Sequence, residues 1–92
     1  MEIIYKYHAT VRMTQENISK KEVSHVLDAG KAIENYSDDK PFPSKLILGW
    51  VNEKPIHVVI AEDKAKEILY VITVYRPTLN KWKSGYEIRI GR

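Results

Sequence analysis

The chain opens on a β-branched and aromatic run, "EIIYKY" at 2–7, which predicts a first strand. The apolar period then changes. In "HATVRMTQEN" at 8–17, Ala9 and Met13 lie four apart and predict a short helix with a narrow apolar stripe. His8 and Arg12 repeat that spacing beside the stripe, so one face of the helix carries both. A second helix is predicted at 20–29. Ser19 and Glu22 form a capping box, Ile18 and Val23 a hydrophobic staple, and Val23, Val26 and Leu27 an inward stripe. Gly30 stands where a left-handed C-terminal stop is wanted.

From Lys31 the pattern returns to that of strands. "KAIENY" at 31–36 predicts one strand, and "SDDKPFPS" at 37–44 a loop, because Pro41 and Pro43 break any ladder. Three runs rich in valine and isoleucine follow: "KLILGWV" at 45–51, "IHVVIA" at 56–61 and "EILYVITVY" at 67–75. Continuous apolar runs suit the centre of a sheet, and the short turns between them make these strands antiparallel neighbours. The tail "NKWKSGYEIRIGR" predicts one more short strand at 86–90. The result is one α+β domain over 1–92, β-α-α followed by three or four antiparallel strands, with two helices packed on one face of the sheet.

Composition narrows the setting. At 43% hydrophobic and 29% charged residues the chain reads as soluble and globular. No apolar run approaches the roughly 20 residues of a membrane helix. "MEIIYKYHA" lacks the features of a signal peptide, so a cytoplasmic protein with no membrane partner is expected. There is no cysteine, hence no disulfide and no thiol nucleophile. The three histidines are scattered and the four glycines isolated, so neither a metal site nor a phosphate loop is indicated, and no cofactor is expected. Met1 to Tyr75 holds ten basic and eleven acidic residues, whereas Arg76 to Arg92 holds five basic and one acidic. The positive excess therefore sits in the tail, interleaved with Trp82 and Tyr86. That composition suits a nucleic-acid-facing surface, and equally an edge strand guarded by lysines.

The candidate chemistry lies in a few places. His57 stands in a central strand, where a histidine is either a buried partner or part of a site facing a cleft. Thr73 and Tyr75 share one strand face, with Arg76 directly after. If the hairpin register puts His57 on that face, one surface carries a histidine, a phenol and a guanidinium; otherwise these are polar residues at a strand end. A charged His8 near a helix start is disfavoured by the helix dipole. His25 points away from the apolar stripe of its helix and reads as surface. His, Arg, Tyr and Lys together are the set that metal-free RNA cleavage needs: a base for the 2′-hydroxyl, a cation for the phosphate and an acid for the leaving oxygen.

"YHATVRM" resembles the H-A-x-x-R-M opening of a small bacterial family of unknown function. The likeness continues through "ISKKEV", "IENYSDDKPFPSKLILGW", "PIHVVIAED" and "ITVYRPTLNKW". That family is similar to the RelE-like, BrnT-like and MqsR-like toxins of toxin–antitoxin pairs, and its genes often lie beside those of MqsA-type antitoxins. The resemblance implies a ribonuclease-toxin fold, an RNA substrate such as ribosome-associated mRNA, and an antitoxin partner. By motif position His8 and Arg12 correspond to the family's helix pair and His57 to its strand histidine, while Thr73, Tyr75 and Trp82 fall in its C-terminal signature. The expected roles are His57 as general base or acid with His8 its counterpart, Arg12 and Arg76 on the phosphate, and Tyr75 orienting it. Lys81, Trp82 and Lys83 would steer RNA. The alternative is a non-catalytic binding module on the same fold. An exposed edge at 31–36 or 86–90 could pair two copies into a homodimer.

Overall fold

The structure is a computed structural model that describes residues 1–91. In chain order it contains β1 (Glu2–Tyr5), α1 (Tyr7–Glu16), α2 (Lys20–Ala29), β2 (Lys31–Tyr36), β3 (Ser44–Val51), β4 (Lys54–Asp63) and β5 (Ile68–Tyr75). The strands form one sheet in the order β1-β5-β4-β3-β2. β2 to β5 make the expected antiparallel series, with the β3–β4 turn closed by Asn52 and Glu53 at φ 51° and 65°, a two-residue primed turn.

Two expectations are corrected. The sheet has five strands and is mixed, because β1 joins as a parallel edge strand beside β5. No hairpin links these two, so no local rule sets their relative direction. The strand expected at 86–90 is absent: Gly85 and Tyr86 take positive φ and turn the chain, leaving only the bridge Trp82↔Arg89. The paired edge at 86–90 falls with it, whereas β2 at 31–36 is a true sheet edge.

α1 packs on β5 and α2 on β3, both on one face. Ala9 and Met13 of α1 and Val23 and Val26 of α2 meet Ile47, Ile56, Val58, Val71 and Val74 of the sheet. Each such valine or isoleucine contributes roughly 1.5–3 kcal/mol by leaving water. The capping box of α2 forms as expected, with Ser19 Oγ accepting from the Glu22 amide and the Glu22 carboxylate accepting from the Ser19 amide. α1 has no side-chain N-cap and ends on Asn17 in the left-handed region, whose N–H donates to the Met13 and Thr14 carbonyls.

Gly30 ends α2 for a different reason than expected. Its φ of −79° is extended, not left-handed. A Cβ there would lie 2.5 Å from both the Leu48 and Val26 carbonyl oxygens, so glycine is needed for the close approach of helix end and strand. Gly30→Ala should therefore destabilise by about 2 kcal/mol, because both clashing atoms are backbone. Urea unfolding checks this, and a variant as stable as the parent would show that the approach is not tight.

One feature of the topology positions the site. β1 ends with Tyr5 opposite Val71, so Ile72–Tyr75 run on without a β1 partner. α1 follows β1 directly and lies along β5, which lets Arg12 and Glu16 line a groove together with Thr73 and Tyr75.

Candidate functional site

The register of the β4–β5 hairpin pairs His57 with Tyr75 and Val59 with Thr73, so all three polar side chains share the face away from the helices. A bulge between Val59 and Ile60 shifts the pairing beyond this point. The tail from Pro77 folds over that face. Trp82 is buried at 2% exposure and stands edge-on to the His57 ring, with centroids 4.4 Å apart. The Arg89 guanidinium lies 4.6 Å from the Trp82 ring centre and donates from Nε (2.9 Å) and Nη2 (3.0 Å) to the two oxygens of Glu34 on β2. The Tyr36 hydroxyl also donates to Glu34. These bonds tie the tail across the sheet and raise the Arg89 pKa, chiefly through Glu34, while burial raises that of Tyr36.

His57 is wholly buried beneath this cover. Its Nε2 lies 2.9 Å from the Tyr86 carbonyl oxygen, which can only accept, so Nε2 carries the proton. Nδ1 then accepts from the Tyr75 hydroxyl at 3.1 Å. Burial pushes the His57 pKa down to about 4 and that of Tyr75 up to about 12. A neutral imidazole with both nitrogens bonded inside the protein has no free position for a substrate proton. The role of general base or acid expected of His57 does not fit this geometry, nor does its pairing with His8. His8 is exposed on α1, one turn before Arg12, and joins none of the contacts of His57.

What the fold does assemble lies next to this buried ring. Arg12, Thr73, Tyr75, Arg76, Lys81 and Trp82, singled out in the sequence from three separate segments, line one groove of about 480 Å³. Glu16, Thr78 and Arg89 line it as well. The Arg12 guanidinium stands 5.7 Å from the Tyr75 ring centre, and its Nη2 lies 3.3 Å from Glu16 Oε1. Tyr75 thus seats the arginine with its ring while its hydroxyl serves His57. Lys83 is exposed on the tail turn, outside the groove.

Arg76 is committed elsewhere. Its amide donates to Glu16 Oε1 at 3.2 Å, its Nε to the Glu16 carbonyl at 3.3 Å and its Nη2 to the Asn17 carbonyl at 3.5 Å. α1 has no basic residue in its own last turn, and Arg76 supplies the positive group its C-terminal carbonyls favour. These bonds position α1 and Glu16, while Nη1 of the same guanidinium is buried without a partner among the described residues. Arg89 is held by two bonds to Glu34 and Arg12 by one longer contact to Glu16, each with 36% of its side chain exposed, and Lys81 is exposed on the rim.

Glu16 was not singled out in the sequence, although its spacing of four from Arg12 is a readable signal. The Arg89–Glu34 pair has no such signal, since 55 positions separate its members. Among the described residues no group of three or more His, Asp or Glu side chains is placed to hold a metal ion. No helix among them is long and apolar enough to cross a membrane.

A family model described as a domain of unknown function (DUF4258) matches residues 5–76. The matched span includes β4, β5 and both helices and ends where the tail begins. No curated protein and no solved structure matches the chain.

Proposed function

The chain belongs to the DUF4258 family, a domain of unknown function, and on that premise we propose that it is a metal-independent endoribonuclease of the toxin kind, working in the groove between α1, β5 and the tail. The observation that carries the reading is the seating of Arg12 over Tyr75 and beside Glu16, with Lys81 lining the same groove. An arginine held in a fixed orientation presents its planar fork to phosphate oxygens and offsets the charge that grows there during attack. The hydroxyls of Thr73 and Thr78 line the same groove and suit hydrogen bonding to a sugar–phosphate strand. The basic excess after Tyr75 favours approach of a polyanion. The resemblance to RelE-like, BrnT-like and MqsR-like toxins supplies the substrate class and an antitoxin as partner. Leu79, Ile88 and Ile90 on the tail, each at least half exposed, offer that partner an apolar surface.

Arg12→Ala should weaken binding of a single-stranded RNA oligonucleotide about tenfold and flatten its salt dependence. Fluorescence anisotropy in chelator checks both effects. Affinity within twofold of the parent, about 0.4 kcal/mol, would remove the groove from the RNA path. The second reading, a non-catalytic binding module, draws on His57, whose ring is occupied on both nitrogens. Expression in a host separates the two. A toxin arrests growth, whereas a binding module accumulates without harm.

A further inference from the structure

Metal-free cleavage of RNA requires a base at the 2′-hydroxyl, and the buried His57 leaves that position empty. We propose that Glu16 is the general base of the groove, an inference that rests on the endoribonuclease reading above. Glu16 is the only carboxylate lining the groove among the described residues. It is held from three sides: Arg12 Nη2 and the Arg76 amide both bond to its Oε1, and Arg76 Nε bonds to its main-chain oxygen. Oε2 has no partner among the described residues and is available to take a proton. The Glu16 side chain keeps 29% of its surface exposed and lines the groove. A phosphate bound to the Arg12 guanidinium would bring the neighbouring ribose beside the Glu16 carboxylate, whose Oε1 lies 3.3 Å from Arg12 Nη2.

The step is a transesterification. Glu16 Oε2 takes the proton of the 2′-hydroxyl, and the 2′-oxygen forms a bond to phosphorus. The bond from phosphorus to the 5′-oxygen breaks with its electron pair, and a solvent water protonates that oxygen. The hydroxide left behind takes the proton back from Glu16. The products are a 2′,3′-cyclic phosphate and a 5′-hydroxyl, with one proton removed and one delivered. Arg12 stabilises the charge on the non-bridging oxygens throughout. Glu16 also closes the end of α1, a purely structural task. Glutamine can perform that task, since its carbonyl oxygen accepts from the Arg76 amide as the carboxylate does.

Glu16→Gln therefore separates the two roles. Wild type and variant are incubated with a single-stranded RNA oligonucleotide in chelator, and binding is measured in parallel with the same sequence as 2′-O-methyl RNA, which cannot react. Cleavage slowed at least about a hundredfold, with binding of the 2′-O-methyl RNA no weaker than that of wild type and the melting temperature retained, is the expected result. Cleavage by the variant within threefold of wild type overturns Glu16 as base and leaves the endoribonuclease reading standing. Absence of cleavage by the wild type, on naked RNA and on translating ribosomes, overturns that reading and this inference with it. Should the glutamine variant fold poorly, Glu16→Asp decides, because it keeps a carboxylate but withdraws it by one methylene: slowed cleavage with the melting temperature retained is expected, and cleavage within threefold of wild type overturns the proposal.

Discussion

Replacing Trp82 by alanine is expected to lower folding stability by about 4 kcal/mol, out of the roughly 5–15 kcal/mol available to a domain of this size. Trp82 is 2% exposed, although it lies in a tail with no regular secondary structure. Its ring fills the space above β4, meets His57 edge-on at 4.4 Å and carries Arg89 on its face at 4.6 Å. Truncation removes the apolar burial, an aromatic pair and a cation–π contact, each of the last two worth about 1 kcal/mol. It also opens His57 to water and frees the Arg89–Glu34 bridge to move. The melting temperature should fall by about 20 °C. Trp50, at 46% exposure, is the control: Trp50→Ala should change stability by about 1 kcal/mol or less. Urea unfolding of both variants checks the pair. A Trp82→Ala protein within about 1 kcal/mol of the parent, a factor of about 5 in the folding equilibrium, would mean that the tail does not cover the sheet as described.

Acidification should weaken the same region. His57 has a folded pKa of about 4 against an ordinary value of 6.5, because burial disfavours its charged form. Between those values the unfolded chain binds a proton that the folded chain refuses. The contribution is thus complete above the ordinary value and is lost as pH falls from there toward about 4. The loss amounts to at most about 3 kcal/mol. Charging the ring also reverses a bond: Nδ1 becomes a donor, and the Tyr75 hydroxyl that donates to it must turn. The charge of Arg89 opposes protonation and that of Glu34 favours it, so both belong to the same balance. NMR titration of the ring is the direct test, with His57 remaining neutral well below the ordinary histidine range. Titration near 6.5 would show that the ring is solvated and the tail open.

The parts of the fold that could be read along the chain are those held by near neighbours. α2 was legible to its boundaries because Ser19, Glu22, Ile18 and Val23 act within one turn. The central strands were legible because their apolar runs and short turns leave few alternatives. Gly30 was the right residue assigned the wrong cause, since the carbonyl of Leu48 that forbids a side chain there belongs to another element. The groove was legible as a set of residue types, Arg12, Thr73, Tyr75, Arg76, Lys81 and Trp82, but not as a set of roles. Arg76 turned out to close a helix and His57 to lie sealed, and both outcomes depend on partners far away: Glu16, 60 positions from Arg76, and Tyr86, 29 from His57.

By itself the sequence determined an α+β fold, a helical pair with the capping box of the second helix, an antiparallel series of strands and a basic, aromatic tail, because hydrophobic period, capping and turn chemistry act over a few residues. Only the tertiary structure decided that β1 lies parallel to β5, that the tail folds back over β4, and that Arg76 reaches back to Glu16 at the end of α1. These depend on burial and on pairings between distant segments. Such pairings form where packing and hydrogen bonding outweigh the entropy of closing a long loop, and no spacing along the chain records that balance.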